Sequence, residues 1–486
     1  MAMDNQEEQE YEKRLKIISL GGGIDKQEAQ KKRGKLLARE RISQLVDANS
    51  FSELDRFASG LDGQPSDGVI TGIGKINEQD VCIYAQDFTI VGGTLGGMHA
   101  QKICSLMDLA YKHRMPIIGL LDSGGARIQE GIEALHGYGE IFKRNVQYSG
   151  VIPQLSVMLG PCAGGSAYSP ALSDAIFMVR SISQMFITGP KVLQAISGET
   201  LSPESLGGAD IHATKSGLAH FVADTEQEVF LQVKEFLSFL ENQKTPDGSN
   251  IATTTGIETC LPKDEREVYN VKEIIACLAD QQHLFEWSKG FAKNIVTGFI
   301  RLNGKTVGVL ANNPLHLAGC IDIDASDKGA RFVRFCNCFH IPLLVLEDVS
   351  GFIPGKDQEY KGLLRHGAKL IYAFAEASVP KITVVLRKAY GGAFVALNSK
   401  GIGADLVVAW PCASIAVMGR QSSRAIVEEK SSIDVEKTDS PYYAAKKGYI
   451  DDVILPRDTR SFLIRSFRYL NAKPVEESRK QGNMPM

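Results

Sequence analysis

Two halves of this 486-residue chain carry the same ordered series of punctuation marks, and that duplication constrains the fold more than any other feature. Pro116 follows Asp87 at the same spacing as Pro342 follows Asn313. Each proline opens an apolar run, "PIIGLLD" or "PLLVLED", that ends at Asp122 or Asp348. Pro153 and Pro380 then stand equally far ahead of the Gly-Gly pairs that begin at Gly164 and Gly391. The register between the halves slips by a single position between the aspartates and the second prolines. One match is chance; an ordered series is a duplicated domain of roughly 200 residues, within the usual domain range.

Each half reads as α/β. Short β-rich apolar runs such as 153–159 and 381–386 predict buried strands, and segments such as 367–377 predict helices between them. Strand, glycine-rich turn and helix form the repeating unit. The expected domains are 1–250 and 260–486. Asn242–Glu267, rich in Thr, Gly and Pro, is the expected linker. The segment 26–41, "KQEAQKKRGKLLARER", predicts a charged amphipathic helix with a solvated or packing role.

With 44% hydrophobic and 23% charged residues the composition is globular, and a net charge of −3 gives no electrostatic case for nucleic acid. The N-terminal stretch is acidic and polar, unlike a signal or transit peptide, and no apolar run reaches the roughly 18 residues of a membrane span. Nine dispersed cysteines without a C-x-x-C pair fit a reducing compartment, and a cytoplasmic location is expected. The nine histidines show no metal spacing, and no metal is expected.

The Gly-Gly pairs have two readings. Glycine permits tight strand–helix packing. Alternatively, a helix starting there points unpaired N–H groups at the turn and forms an oxyanion hole. The donors would be Gly165 and Ser166 in "GGSAY" and Gly392 and Ala393 in "GGAF". Phosphate-loop and nucleophile-elbow motifs are absent. His99, His212, His220 and His366 read as structural. Asp122 and Asp348 read as a paired acid or as turn residues. Two holes without an obvious protein base predict a reaction through two enolate-like anions, one substrate serving as base for the other.

The blocks "QDFTIVGGTLGGMHAQKIC", "DSGGARIQEGIEALHGYGEIFKRNV", "GPCAGGSAYSPALSD", "AGCIDIDASDKGARFVRFC" and "RKAYGGAFVALNSK" carry a family likeness. The chain resembles the carboxyltransferase (β) subunits of biotin-dependent acyl-CoA carboxylases, the propionyl-CoA type above all, and the related decarboxylase subunits. The resemblance covers nearly the whole chain. It implies two tandem crotonase-like β-β-α superhelix domains, with acyl-CoA on the first and biotin on the second. It places the acyl thioester oxygen at Gly165 and Ser166 and the biotin ureido oxygen at Gly392 and Ala393. Gly164, Gly124, Gly125, Ala126 and Tyr168 are the expected substrate contacts on one side, and Gly391, Phe394 and Val395 on the other. Carboxybiotin would lose CO2, the biotin anion would take the acyl α-proton, and the enolate would attack CO2. The implied partners are a separate biotin carboxyl carrier, a biotin carboxylase subunit and further copies of this chain in a hexamer built as a trimer of dimers.

The chain departs from the family in places. "DGQPSDGVITG" after Leu61 is short. The segment after "IAVMG" is shortened and charged, with Arg420 and Arg424. Ser350 stands where proline is usual, and Val395 occupies a position the family uses to sense the acyl chain. Two other functions therefore stay open: decarboxylation of methylmalonyl- or malonyl-CoA, and acyl-CoA binding without turnover. A hydratase would need glutamate acid/base residues, for which Glu130 and Glu133 are the nearest candidates.

Overall fold

The computed structural model describes residues 5–61, 64–241, 256–264, 266–419 and 438–470. Most of the expected linker, residues 242–255 and 265, lies outside the described residues, as do Arg420, Arg424 and the rest of 420–437. The chain divides into two compact units, Met1–Ser238 and Phe239–Met486.

The first unit holds β1 (Ser52–Leu54), β2 (Val69–Ile76), β3 (Gln79–Gln86), β4 (Ile117–Ser123), β5 (Gln154–Ala163), β6 (Ala175–Val179), β7 (Gln184–Phe186) and β8 (Phe221–Ala223). They form one sheet in the order β1-β2-β3-β4-β5-β6-β8, with β7 paired to β5. The second unit holds β9 (Phe285–Trp287), β10 (Ile295–Leu302), β11 (Lys305–Asn312), β12 (Leu343–Val349), β13 (Lys381–Tyr390), β14 (Leu406–Ala409), β15 (Ser414–Ala416) and β16 (Asp452–Val453). Its order, β9-β10-β11-β12-β13-β14-β16 with β15 on β13, repeats the first strand for strand. In each sheet the first three strands are antiparallel and the rest parallel. Every residue of β4 and of β12 is buried, as strands covered on both faces require.

The duplication extends to single backbone angles. Asn77 and Glu78 (φ 51° and 67°) turn the β2–β3 hairpin; Asn303 and Gly304 (φ 51° and 77°) turn β10–β11. Two positive φ values suit the right-handed twist of a two-residue hairpin. The isolated bridges Leu95–Ala126 and Ile321–Phe352 occupy equivalent places in the two units.

The expected helix over 26–41 is instead two helices, Ile24–Lys32 and Ala38–Leu45. Gly34, at φ 73°, breaks them, and the Leu36 N–H donates to Glu226 Oε1 at 3.0 Å. Arg41 is fully buried, whereas Lys26, Lys31, Lys32 and Arg33 are exposed, so the second helix packs while the first keeps a solvated face. Among the described residues no helix is long and apolar enough to cross a membrane.

Candidate functional site

In both units the fifth strand of the sheet order, β5 or β13, runs into a glycine turn and then a short helix. In the first unit β5 ends at Ala163 and the helix Gly165–Leu172 begins just beyond it. Gly164 between them has φ 62° and ψ −127°, a mirror-image conformation open to glycine. Its N–H donates to Phe186 O at 3.0 Å, and its carbonyl accepts from the Ala167 N–H at 3.0 Å. Gly165 and Ser166 are the first two helical residues, so their N–H groups have no acceptor within the helix. The Ser166 hydroxyl is already engaged, donating to Ala163 O at 2.8 Å. What this serine presents is its amide.

The loop after β4 lies against the same turn. Gly125, at φ 103°, approaches so closely that a Cβ there would stand 3.0 Å from Ala163 O. The Gly124 N–H donates to Gly92 O at 2.9 Å, and the Gly125 carbonyl accepts from Leu95 N–H at 2.9 Å. Gly125 thus lies against Ala163, the residue before the Gly164 turn, with Gly124 and Ala126 on either side of it in the loop. Tyr168, half exposed, meets Phe142 edge-on at 6.1 Å from the same helix.

The second unit repeats the arrangement. β13 ends at Tyr390 and the helix Gly391–Ala396 follows at once. Gly391 has φ 60°, and a Cβ on it would stand 3.0 Å from Val417 O. Gly392 is exposed, and among the described residues the nearest neighbour of a Cβ there is Phe352 at 4.0 Å. Ala393 is buried, Phe394 is partly buried against the second unit's core, and Val395 is 41% exposed.

The acid and base candidates are engaged elsewhere. Asp122 and Asp348 are buried and tied to cations: Lys35 and Arg41 hold the first, Arg387 the second. Glu130 accepts from the Gly97 N–H at 2.6 Å, capping a helix, and pairs with Arg127. Glu133 is exposed. His99 is buried with Nδ1 2.9 Å from Asp67 O, and burial pushes its pKa down to about 3. His212 contacts Met185 O and Ser216, His220 accepts from the Ile176 N–H, and His366 pairs with Asp327. Among the described residues no group of three His, Cys, Asp or Glu side chains is placed to hold a metal.

Sequence reasoning missed Tyr138, whose ring underlies Gly165, and the buried cluster of Lys35, Arg41, Asp122 and Glu226. It also missed Glu347, buried with neither carboxyl oxygen hydrogen-bonded among the described residues. The repeat held a signal for the last: "GLLD" in the first half aligns with "VLED" in the second, and sets Leu121 against Glu347.

Comparison with known proteins adds the family. The carboxyl transferase domain matches residues 29–484. The chain is 52% identical over 500 residues to a putative propionyl-CoA carboxylase beta chain of Bacillus subtilis (strain 168), covering 98% of each. It is 45% identical over 510 residues to the methylmalonyl-CoA decarboxylase subunit alpha of Propionigenium modestum, again covering 98% of each. A chain of the transcarboxylase 12S structure, a hexamer solved with methylmalonyl-coenzyme A and methylmalonic acid bound, superposes with a TM-score of 0.94 at 42% identity over the whole of both chains.

Proposed function

The chain belongs to the carboxyl transferase family, and from that premise we propose that it moves a carboxyl group between carboxybiotin on a carrier protein and the α carbon of a short acyl-CoA. It is a carboxyltransferase enzyme, and its two units are tandem crotonase-like domains. The propionyl-CoA/methylmalonyl-CoA pair is the proposed substrate.

The observation that carries this reading is the pair of glycine turns at the ends of β5 and β13, each presenting helix-start amides. An acyl thioester losing its α-proton puts negative charge on the carbonyl oxygen. Fixed donors aimed at that oxygen stabilise the enolate without reorganising, and each is worth about 2.7–4 kcal/mol of barrier. Gly165 and Ser166 are the proposed donors for the acyl oxygen, with Gly164, Gly124, Gly125, Ala126 and Tyr168 around the substrate. Gly392 and Ala393 are the proposed donors on the biotin side, with Gly391, Phe394 and Val395 beside them. Biotin supplies the carboxyl group and the base that takes the α-proton. That assignment accords with Asp122, Asp348 and Glu130 being committed to ion pairs or helix capping.

A separate biotin carboxylase, a biotin carrier and a hexamer of this chain complete the proposed assembly. A second reading, biotin-coupled decarboxylation of methylmalonyl- or malonyl-CoA, draws on the likeness to the Propionigenium subunit and on the small apolar Val395.

The test is to mix the purified chain with methylmalonyl-CoA, with and without free biotin, and follow CO2. Biotin-dependent release supports carboxyl transfer. Release without biotin favours a stand-alone decarboxylase. No release from methylmalonyl-CoA or malonyl-CoA would overturn the catalytic reading in favour of acyl-CoA binding alone.

A further inference from the structure

We propose that Lys35 and Arg41, on the N-terminal segment, are positioning residues for the glycine turns of the first unit, standing in for the cation that the second unit carries on its own strand as Arg387. The proposal rests on the reading of those turns as the acyl-side oxyanion hole.

Both units bulge at one place. β4 pairs with β5 at Leu121–Met158 and next at Ser123–Cys162, so Leu159, Gly160 and Pro161 bulge opposite Asp122. β12 pairs with β13 at Glu347–Val385 and next at Val349–Ala389, so Leu386, Arg387 and Lys388 bulge opposite Asp348. A bulge bends its strand and leaves backbone groups outside the ladder. Here each bulge immediately precedes the glycine turn, so its geometry sets where the turn sits.

In the second unit the cation comes from the bulge itself. Asp348 accepts from Arg387 Nε at 3.0 Å and from the Lys388 N–H at 3.1 Å, and Arg387 donates onward to Glu267 O at 2.9 Å. Gly160 holds the middle place of the first bulge, as Arg387 holds that of the second. A Cβ on Gly160 would stand 1.9 Å from Asp122 Oδ1 and 2.7 Å from Lys35 Nζ. The place of the arginine side chain is therefore filled from elsewhere. Lys35 Nζ donates to Asp122 Oδ1 at 2.7 Å, and Arg41 Nη1 to Asp122 Oδ2 at 2.9 Å. Arg41 Nη2 donates at 2.9 Å to Leu159 O, a carbonyl of the bulge itself. Glu226 accepts from Arg41 Nε at 2.7 Å, so two cations balance two carboxylates. A buried carboxylate needs such partners. Asp122 in turn leads into the Ser123–Ala126 loop that lies on the Gly164 turn.

Lys35, at the edge of the cluster, is the residue to test in the full-length chain, because Arg41 still pairs Asp122 without it. Lys35→Met and Lys35→Arg are compared with wild type for kcat, for KM of methylmalonyl-CoA and of free biotin, and for amide hydrogen exchange. The expected Lys35→Met protein is folded, with kcat down by about 10²-fold, the cost of a site misplaced by about 1 Å. Its KM for biotin stays unchanged. Exchange rises in 123–126 and 164–168 but not in 349–352 or 391–395, and Lys35→Arg restores kcat. Wild-type kcat with unaltered exchange in Lys35→Met would overturn the proposal. So would exchange rising equally in both units, or a Lys35→Met chain that unfolds where Lys35→Arg folds, which assigns the pair to stability alone. If the wild-type chain itself releases no CO2, the functional reading fails, and the local exchange pattern alone decides the positioning role.

Discussion

Gly165 rests on the ring of Tyr138: a Cβ on the glycine would stand 3.0 Å from Tyr138 Cδ2 and 3.2 Å from Cε2. Tyr138 is buried, its hydroxyl has no hydrogen-bond partner among the described residues, and burial pushes its phenol pKa up. The ring is thus a floor under the proposed acyl-side hole.

Replacing Gly165 separates the donor from the floor. Gly165→Pro removes the N–H at a first helical position, where proline is tolerated, and places the same Cβ against Tyr138 that Gly165→Ala does, so the difference between the two variants isolates the donor. We expect kcat for carboxyl transfer to fall about 10²–10³-fold. Gly165→Ala keeps the donor but presses on Tyr138, and its loss should be smaller. Circular dichroism and CO2 release on both variants check this. A folded Gly165→Pro protein at near-normal rate would remove Gly165 from the hole.

Gly391→Ala and Gly164→Ala should not be equivalent. Both backbones sit at positive φ, where a side chain costs about 1–3 kcal/mol. Gly391 has a further obstacle, Val417 O at 3.0 Å from the added Cβ, whereas the nearest neighbour at Gly164 is Ile187 O at 3.8 Å. Urea unfolding should rank Gly391→Ala as the less stable. The reverse order would mean that the turn conformations, not the carbonyl, decide the cost.

The features legible in the sequence were local or repeated. Proline spacing, β-rich runs and Gly-Gly pairs marked the two sheets and both turns, because each signal spans a short stretch and occurs twice. Asp122 and Asp348 were visible as a matched pair, but their role was not. The partners of Asp122 lie 87 and 81 residues away in sequence, and no periodicity points to them. The same distance hid Arg41: a charged helix looks solvated until the strand it packs against is known. The break at Gly34 divided one expected helix into two for a local reason, a positive φ inside a run whose charge pattern reads as continuous.

Arg387→Met should destabilise the chain strongly. It leaves Asp348, 2% exposed, with the Lys388 amide but no cation. Breaking a buried pair from one side costs about 3–5 kcal/mol. Adding Asp348→Asn removes the stranded charge and should recover much of the loss. Urea midpoints of the single and double variants measure this, and a double variant no more stable than Arg387→Met would show that packing rather than charge was lost.

Val395→Asp tests acyl-chain sensing. The residue is 41% exposed on the Gly391–Ala396 helix, so the change should cost little stability. We expect the ratio of kcat/KM for propionyl-CoA and acetyl-CoA to shift. An unchanged ratio would take Val395 out of the pocket.

Glu347 makes stability depend on pH in a direction its position dictates. It is fully buried, and burial, with the neighbouring Asp348 charge, raises its pKa well above 4.5. The folded chain therefore holds a proton that the unfolded chain releases. Its contribution is most favourable below the ordinary carboxylate range and is lost as pH rises through the raised folded value. Leu121 fills the equivalent place in the first unit at 5% exposure, which shows that this strand position accepts an apolar side chain of similar size. Glu347→Leu should accordingly stabilise the chain, and by more at alkaline than at acid pH, because the ionised carboxylate is far costlier to bury than the neutral, unpaired acid. Thermal midpoints of wild type and Glu347→Leu from about pH 5 to 9 check the claim. A difference that stays flat across that range would mean that Glu347 does not titrate there in the folded chain, and the raised pKa would be wrong.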